Sequence, residues 1–487
     1  MRLEQLADPD VLCDFFQAAN ELFPVPLSHK TDLADYARKL IEKGIAFGFV
    51  GSEGRLVGAV AGYVNAGTGG DAFLSVIAVL PEASGSGLGG RLLAAFENRA
   101  RRARCCRVCL TTHATNVGAQ RFYASHGYRV DGTEGENFHL SKVVVGLTDD
   151  RPNLLLSSAG RRTYLVEWFK EALGNEGSVV VANSDALAPS MIAADVRVES
   201  PLIYSDEYIP FMLQCCADNQ VGAVVPLFDI DVPVLARASQ EFFDAGVFPV
   251  VAPLETALAC NDKFRTQQVL RELGLASIPS FVSLEEAEEA LNDGRLSFPV
   301  VVKPRWGMGS IGVSKVWSTE ELRAEYAIVL QEIQDTYLRY ESADQAQPVI
   351  IQQCMDGQEC GMDVINDLCG GFRGISLRKK LAMRAGETDA AEVIPAEEPF
   401  MSLGRTLSLW SRHPGNMDLD VFLQDGVPYV LEMNGRFGGG YPFSHCAGVN
   451  EPAALVAWLR GQEPSPSELT PKDYGVYQKD IRIIRLT

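Results

Sequence analysis

The sequence has no long apolar run, no basic leader and no excess of positive charge. Its apolar stretches fall short of the roughly 18 residues that a membrane helix needs, so we expect no membrane partner. The first ten residues, MRLEQLADPD, lack the basic start and apolar core of a secretory signal. Because 43 basic residues face 63 acidic ones, a formal net charge of −20, we also expect no binding to nucleic acid.

The eleven cysteines form no disulfide framework that can be read from their spacing. Their number is odd and they are scattered over 487 residues, which favours reduced thiols and a cytoplasmic location. Cys106 and Cys109 make a single CxxC inside an apolar strand pattern. No second CxxC or nearby His pair completes a zinc site, so zinc is not expected.

The order of strand and helix patterns predicts several domains. An apolar strand pattern ends at Val145, and an acidic, turn-rich stretch separates it from a new strand at Asn153. Short Val-rich strands then alternate with amphipathic helices as far as Cys260, which predicts a parallel, doubly wound sheet. Strands and one long helix over 320–342 follow in an α+β pattern, and the polar tail after Gly461 contains one late strand.

Two lysines in this later part are candidates for binding phosphate. Lys263 stands in NDKF, and Lys303 ends the strand pattern FPVVVKP. A lysine at the end of a strand can meet phosphate as a point charge. Taken singly, each also fits an ordinary solvated lysine.

A glycine-rich segment, RWGMGSIGV, follows Lys303 directly. Gly307, Gly309 and Gly312, with Ser310 among them, leave backbone N–H groups open to phosphate oxygens because no Cβ stands in the way. The segment lacks the terminal Lys-Ser/Thr of a P-loop. A glycine-rich hairpin without a ligand is the alternative interpretation.

The segment MDLDVFLQDGVPYVLEMNGRFGGGYP predicts a hairpin that carries metal ligands. Its turn lies at Gln424-Asp425-Gly426. Glu432 and Asn434 are two residues apart on one strand and therefore share a face, while Asp420 lies on the other strand. These oxygen ligands suit magnesium, and Arg436 on the same face would neutralise charge on a transferring phosphoryl group. Asp418 alternates onto the face of Asp420 and is a rival ligand; a solvated polar face remains the alternative.

The order of these motifs resembles the ATP-grasp superfamily. Five motifs occur in the order expected for the branch of the carbamoyl-phosphate synthetase large chain and its carboxylate–amine ligase relatives. They are NDK, FPVVVKP, the glycine loop, IIQQCMDGQECGMDV and EMNGRFGGGYP. The resemblance implies a Rossmann-like pre-ATP-grasp domain over 152–260 and an ATP-grasp domain over 261–463. A mobile lid would span about 298–355, and a tail 464–487.

The resemblance also implies roles for individual residues. Lys263, Lys303 and the loop from Gly307 to Gly312 would hold the phosphates of ATP. The adenine hinge would be Gln353, Cys354 and Met355, and Glu359 would bond the ribose. Asp420, Glu432 and Asn434 would bind magnesium, usually two ions in this family. Arg384 would lie near the phosphates and the acyl intermediate, with Lys380 a weaker match. Gln353 replaces the usual Glu, and Asn434-Gly435-Arg436 replaces Asn-Pro-Arg.

The first 147 residues contain a second glycine motif, SGSGLGG, between a strand and a helix. Gly85, Gly87, Gly89 and Gly90 would present backbone amides at a helix N-terminus, where a pyrophosphate can bind. A tight strand–helix turn without a ligand is the alternative interpretation.

With the downstream THATNVGAQRFYASHGYRV, this motif resembles the GNAT N-acetyltransferases, which bind acetyl-CoA on such a loop. The resemblance implies that Val79 bonds the pantetheine arm, Asn116 contacts CoA and Tyr123 protonates the departing thiolate. Packing of Tyr123 in the core is the alternative. Ser84 stands where the family usually has Arg or Gln. No general base is apparent, and Glu21, Glu82 and His113 are only candidates.

The combined resemblance predicts a bifunctional enzyme. An acetyl-CoA-dependent N-acetyltransferase would be fused to an ATP- and magnesium-dependent carboxylate–amine ligase that acts through an acyl phosphate on small molecules. His445 and GGGYPFSH would lie near the carboxylate substrate. Relatives of both halves often dimerise. Two alternatives stay open: a ligase with a non-catalytic first domain, and a protein that senses nucleotide and CoA.

Overall fold

The chain folds into two units. The computed structural model describes residues 2–51, 54–65, 67–307, 312–336, 338–384 and 386–486. The first unit comprises Met1–Arg151, Gln240–Phe248 and Leu459–Gln462, and the second comprises Pro152–Ser239, Pro249–Trp458 and Glu463–Thr487. Within the described ranges, no helix combines the length and apolarity that crossing a bilayer requires.

The first unit is an α/β fold whose elements run in the order β1 (Arg2–Gln5), α1 (Pro9–Ala19), α2 (Leu33–Lys43), β2 (Ile45–Val50), β3 (Leu56–Tyr63), β4 (Asp71–Val79), α3 (Leu88–Arg102), β5 (Arg107–His113), α4 (Val117–Ser125), β6 (Arg129–Glu134) and β7 (Asn137–Val143). The sheet order is β1-β2-β3-β4-β5-β7-β6. Helix α3 buries Leu92, Leu93, Phe96 and Ala100, a spacing of three to four residues that places them on one face.

Strands β4 and β5 are the parallel pair of this sheet, and they separate along their length. They pair only through Asp71–Phe73 and Arg107–Cys109, although both strands continue beyond these residues. The other neighbours in the sheet are antiparallel. The separation leaves an opening at the carboxyl ends of β4 and β5, where α3 and α4 begin.

The chain from Asn153 to Asn261 forms the expected doubly wound sheet. Its elements are β8 (Asn153–Ser157), α5 (Thr163–Leu173), β9 (Val179–Asn183), α6 (Pro189–Ala193), β10 (Val196–Glu199), α7 (Tyr208–Asp218), β11 (Val221–Pro226), α8 (Asp231–Arg237), α9 (Ser239–Asp244), β12 (Phe248–Pro249) and α10 (Leu254–Asn261); the residues Gln240–Phe248 of α9 and β12 are counted with the first unit. The order is β10-β9-β8-β11-β12. Strands β9 and β11 are buried at every position, which explains their unbroken Val-rich sequences.

A four-stranded antiparallel layer follows. Its elements are α11 (Lys263–Glu272), β13 (Ser280–Phe281), α12 (Leu284–Asn292), β14 (Val300–Pro304), β15 (Ser314–Val316), α13 (Thr319–Asp335), α14 (Leu338–Glu341) and β16 (Val349–Gln353). The sheet order is β13-β16-β14-β15. Residues 320–342, predicted as one helix, therefore form α13 and the short α14. The glycine-rich segment joins the antiparallel strands β14 and β15.

A six-stranded antiparallel sheet completes the second unit. Its elements are β17 (Gln358–Asn366), β18 (Phe372–Arg384), β19 (Glu387–Ile394), α15 (Phe400–Ser411), β20 (Gly415–Gln424), β21 (Val427–Asn434), α16 (Tyr441–Cys446), α17 (Glu451–Leu459) and β22 (Gly475–Gln478). The order is β21-β20-β17-β18-β19-β22. One face packs on α15 through apolar residues such as Met362, Leu403 and Leu419, and the opposite face carries the polar residues described below.

Helix α11 is fixed to strand β21 by one buried side chain, Gln267. Its Nε2 donates to the Val430 carbonyl at 2.9 Å, and its Oε1 accepts from the Ile278 N–H at 2.8 Å. Gln267 is 0% exposed. Because Lys263 begins this helix, Gln267 sets the position of that lysine relative to β21.

We predict that Gln267→Met lowers the free energy of unfolding by about 2–4 kcal/mol, since a carbonyl and an N–H lose their buried partner. Gln331→Met, on the exposed face of α13, should change it by less than about 0.5 kcal/mol. Urea unfolding followed by circular dichroism measures both values. Equal stability of the two variants would contradict this role for Gln267.

Candidate active site

The second unit contains a cavity of about 540 Å³ between its parallel sheet and its six-stranded sheet. One wall is formed by residues that follow the parallel strands: Ser158–Arg162 after β8, Asn183 and Ser184 near the end of β9, and Phe228 and Asp229 after β11. The other wall is formed by residues of β18, β20 and β21, by Gly386 and the start of β19 (Glu387 and Thr388), and by the segment after β21. Crevices at the carboxyl ends of parallel strands are the usual ligand sites of doubly wound folds.

The two predicted lysines lie at the start of α11 and on β14. Lys263 is the first residue of α11, and its Nζ donates to the Gly307 carbonyl at 2.5 Å. Lys303, on β14, is only 5% exposed. Burial, with a further contribution from Lys263, lowers the pKa of Lys303 from 10.5 to about 8, while Glu432 and Asp420 act in the opposite direction. Lys303 therefore lies within electrostatic reach of both carboxylates.

The hairpin β20–β21 places Asp420 directly opposite Glu432, and Asp418 opposite Asn434. Lys380 Nζ bridges Asp420 Oδ1 and Glu359 Oε1, each at 2.7 Å. Burial, the opposing effect of Lys380 and the neighbouring carboxylates of Asp418 and Glu432 together raise the pKa of Asp420 from 3.8 to about 6, and burial is the largest of these causes. Neighbouring carboxylates disfavour each other's ionised form, and a bound cation would stabilise that form. These residues therefore fit a divalent metal ion.

In addition to the carboxylates of Asp420 and Glu432, such an ion would need the Asn434 amide and oxygens from a bound molecule such as a nucleotide. Among the described residues, no group of three His, Cys, Asp or Glu side chains is arranged to hold a metal alone. With its nitrogen turned towards them, the Asn434 amide donates to Asp229 Oδ1 at 3.0 Å and to Glu432 Oε1 at 3.3 Å; to bind a cation beside Glu432, its oxygen would take the place of that nitrogen. Shared coordination between protein oxygens and phosphate oxygens is typical of magnesium.

Both carboxylate oxygens of Asp418 accept hydrogen bonds from buried arginines. Its Oδ1 accepts from Arg378 at 2.8 Å, and its Oδ2 accepts from Arg436 at 3.2 Å. Arg378 also pairs with Asp363 at 2.5 Å, and Arg436 with Asp229 at 2.8 Å. Burial would lower the pKa of Arg436, but Asp229 and Asp418 raise it above its ordinary value. Of the two rival ligands, the geometry therefore favours Asp420 over Asp418.

Three members of this arginine–aspartate network were not predicted from the sequence: Asp229, Asp363 and Arg378. Asp229 follows a strand of the parallel sheet, and its position at a carboxyl end was a usable signal. Arg378 interrupts an apolar strand and is two residues from Lys380, so alternation places both on one face of the strand. This pattern was a second indication of a site residue. The glycines of the GRFGGGYP segment belong to the same network, because a Cβ at Gly438 would overlap Asp418, and one at Gly440 would overlap Arg378.

Arg384 lies at the end of β18, outside the cavity lining. It pairs with Asp389 at 3.1 Å, and its side chain is 56% exposed. Simple alternation from Arg378 and Lys380 would turn residues 382 and 384 into the cavity. However, β18 shifts register between Lys380 and Met383, and Met383 lines the cavity instead.

Other residues with expected ATP roles also lie outside the lining of this cavity. The Gln353 side chain bonds the Ser297 backbone, accepting from its N–H at 3.0 Å and donating to its carbonyl at 2.9 Å. Cys354 and Met355 follow β16 directly. Gly307 and Gly312 have φ of 114° and 64°, while Gly309 and Ser310 fall outside the described residues.

In the first unit, the glycine motif lies at the opening between β4 and β5. Val79 ends β4, and Gly85 and Gly87 have φ of 77° and 75° before α3. Helix α3 has no side-chain N-cap, so its first N–H groups have no side chain covering them. Gly89 and Gly90 instead face Phe122 and His126, since a Cβ at Gly90 would lie 2.9 Å from the His126 ring. The motif thus combines an amide cradle with close helix packing.

The remaining candidates of the first unit have structural contacts. Asn116 caps α4 by accepting from the Ala119 N–H at 3.1 Å. Tyr123 is 6% exposed, with its ring centroid 5.4 Å from the Phe122 and Tyr128 rings, and burial raises its pKa. His113 pairs with Glu136 at 3.1 Å, while Glu21 and Glu82 are exposed.

Comparison with known protein families identifies three domains. The acetyltransferase (GNAT) family matches residues 12–128, the PylC-like N-terminal domain matches 154–251, and the ATP-grasp domain matches 296–395. The chain therefore carries a GNAT domain followed by PylC-like and ATP-grasp domains, which confirms the family resemblance and the fold class predicted from the sequence. These domains support an enzyme.

Solved structures support the same fold for the second unit. The biotin carboxylase–β,γ-ATP complex of Campylobacter jejuni has 16% identity and a TM-score of 0.54, over 66% of this chain and 74% of that one. The biotin carboxylase domain dimer of Hydrogenobacter thermophilus 2-oxoglutarate carboxylase, with MgADP, ADP and bicarbonate, has 15% identity and a TM-score of 0.52, over 66% and 73%. The N5-carboxyaminoimidazole synthetase of Staphylococcus aureus, with ADP, has 13% identity and a TM-score of 0.51, over 66% and 80%.

The lowered pKa of Lys303 predicts a gain of stability at alkaline pH. Between about pH 8 and 10.5 the unfolded chain keeps this proton and the folded protein releases it, so the free energy of unfolding rises with pH. We expect a rise of roughly 1–2 kcal/mol between pH 7.5 and 9.5 relative to Lys303→Met, measured by urea unfolding. Lys315→Met, at an exposed position of β15, should behave as the unmodified protein. A rise that persists in Lys303→Met would refute this assignment.

Proposed function

We propose that the second unit is an ATP- and magnesium-dependent carboxylate–amine ligase that acts through an acyl phosphate on small molecules. The observation that carries the proposal is the position of Asp420 opposite Glu432 on β20 and β21, within electrostatic reach of Lys303. Carboxylates that can share a divalent cation beside a buried lysine suit phosphoryl transfer from ATP. The ATP-grasp domain match and the nucleotide-bound relatives support this chemistry.

The residues of the site would have separate roles in the reaction. Asp420, Glu432 and Asn434 would hold magnesium, which when bound supplies positive charge to the phosphate oxygens. Lys263 and Lys303 would neutralise the phosphates of ATP. Arg436, held on both sides by Asp229 and Asp418, would meet the transferring group without having to reorganise.

The reaction would then proceed in two steps. An oxygen of the substrate carboxylate attacks the γ-phosphorus, the bond from that phosphorus to the bridging oxygen breaks, and ADP leaves. The amine nitrogen then attacks the acyl carbon, the carbon–oxygen bond to phosphate breaks, and the nitrogen loses a proton as the amide forms. The layer that carries the loop between β14 and β15 would act as a lid that shields the acyl phosphate from water.

We predict that Glu432→Ala abolishes magnesium-dependent uptake of ATP and lowers ADP release by about 100-fold or more, because a metal ligand is lost. Glu392→Ala, which removes a carboxylate paired with Lys379 on the same sheet, should retain both activities. Calorimetry with and without magnesium measures uptake, and a screen of amino acids against carboxylic acids measures ADP release.

If the second unit is a ligase, ADP should appear only when an acid and an amine are both supplied. Uptake of ATP that ignores magnesium, or that survives in Glu432→Ala, would contradict it. Uptake without ADP release for any pair would favour the alternative of a nucleotide sensor.

For the first unit, we propose an acetyl-CoA-dependent N-acetyltransferase, fused to the ligase so that both act on one small metabolite. The cradle at Gly85 and Gly87 before α3 and the opening beside Val79 support it. The alternative, a domain that binds without catalysis, is favoured by the burial of Tyr123 and by the use of Asn116 as a helix cap. Free thiol released from acetyl-CoA in the presence of an amine pool distinguishes the two.

We predict that Gly87→Val weakens acetyl-CoA binding by roughly 10-fold or more, because a β-branched residue resists a φ of 75° and the turn before α3 would be displaced. Gly54→Val is the matched control, since Gly54 has a φ of 77° and equally open surroundings away from α3. Calorimetric titration with CoA measures both. Equal affinity in the two variants would argue against a cradle at Gly87.

A further inference from the structure

Among the described residues, the Arg161 side chain in the cavity lining has no hydrogen-bond or ion-pair partner. The lining carries Arg161, Arg162, Arg378, Lys380 and Arg436. Arg162 donates to the Leu227 carbonyl, and the last three pair with carboxylates. Within the described part of the chain, no hydrogen bond or ion pair of the Arg161 side chain is present, and it is exposed to the cavity side of the loop.

The loop that presents Arg161 is held on both sides. Ser158 and Gly160 each have a φ of 53°. The Ser158 N–H donates to the Ala182 carbonyl at 2.9 Å, its hydroxyl donates to Asp231 at 3.2 Å, and the Gly160 N–H donates to Asn183 at 3.4 Å. Ser158 is one of a few non-glycine residues with a left-handed backbone, so this turn is maintained by its surroundings. A fixed loop therefore carries an uncompensated guanidinium.

Other donors of the lining are also unused. The Nε atoms of Arg378 and Arg436 are buried and have no acceptor among the described residues. Helix α5 begins one residue after Arg162 and has no side-chain cap. The start of α5 and the Arg161 guanidinium lie beside the cavity and have no side-chain acceptor among the described residues, a combination that suits an anionic group.

This anion is not the carboxylate that reacts. On the proposed function, on which this inference rests, that carboxylate must meet the phosphate donor beside Asp420, Glu432 and Lys303. Arg161 belongs to the opposite wall, after β8. We propose that Arg161 binds a second carboxylate of the ligase substrates, one that is not activated. The substrates would accordingly include an amino acid that serves as the amine, or a dicarboxylic acid that serves as the donor.

The test compares Arg161→Met, Arg161→Lys and the unmodified protein, with Arg237→Met as the control for loss of an exposed arginine in the same sheet domain. Each protein is loaded with magnesium and a non-hydrolysable ATP analogue. Thermal unfolding is then followed with the twenty amino acids, succinate and glutarate, each beside its carboxamide at the same ionic strength.

We expect at least one acid to raise the melting temperature of the unmodified protein and of Arg237→Met, while its amide does not. Arg161→Met should lose this response, and Arg161→Lys should retain part of it. If amino acids stabilise the protein, the carboxylate that Arg161 binds belongs to the amine substrate. If succinate or glutarate does so, it belongs to the dicarboxylic acid that donates the acyl group. For any pair that releases ADP, Arg161→Met should lower kcat/KM for the acid by roughly 10- to 100-fold and leave the KM for ATP unchanged.

Two results would overturn the role of Arg161. Either no acid stabilises the unmodified protein more than its amide does, or the stabilisation is equal in Arg161→Met. Failure of the proposed ligase function is seen separately, in the loading step, as an absence of magnesium-dependent nucleotide binding before any acid is added.

Discussion

The candidate active site depends on a buried chain of ion pairs, Asp363–Arg378–Asp418–Arg436–Asp229. Arg378 is 1% exposed, and each arginine pairs with two carboxylates. Buried charges are tolerated only when they are paired, and removal of one partner from such a pair typically lowers stability by about 3–5 kcal/mol. The chain joins strands β17, β18 and β20 to the segment after β21 and to the loop after β11, so it holds the two walls of the cavity together.

This rigid chain lies beside a group of charges that a ligand can rearrange. Lys380 is shared between Glu359 and Asp420, and among the described residues Glu432 has a hydrogen bond only from the Asn434 amide, with its nitrogen turned towards Glu432. A site with fixed arginines and exchangeable carboxylate partners is organised before substrates arrive. The glycines at 438 and 440 keep the backbone close enough for the arginines and Asp418 to meet. In this segment, then, close packing of charged side chains explains a glycine run.

Local chemistry made part of this site predictable. Asp425 and Gly426 have φ of 52° and 77°, the conformation that an Asp-Gly hairpin turn adopts, and the turn sets the register from Gln424–Val427 to Val421–Val430. A register shift between Asp420 and Val421 then brings Asp420 opposite Glu432, which the turn alone does not predict. The parallel sheet was predictable because its strands are buried on both faces and so are continuously apolar. The order of five motifs indicated the ATP-grasp fold, which the family match confirms.

Non-local features were not predictable in the same way. The register shift in β18 moves Met383 into the cavity and Arg384 out of it, and a period of two cannot anticipate a bulge. Asp229 lies 207 residues from Arg436 in sequence, so its role follows only from the packing of two sheets. Gly89 and Gly90 match a phosphate-binding motif, yet helix packing against Phe122 and His126 accounts for both.

The position of a bound divalent cation would show whether Asp420, Glu432 and Asn434 form a metal site. Crystals grown with manganese and a non-hydrolysable ATP analogue can be measured at the manganese absorption edge. We expect an anomalous peak within coordinating distance of Asp420, Glu432 and Asn434, with Lys380 displaced from Asp420. A peak elsewhere in the chain, or nucleotide bound with those three side chains turned away from it, would contradict the assignment.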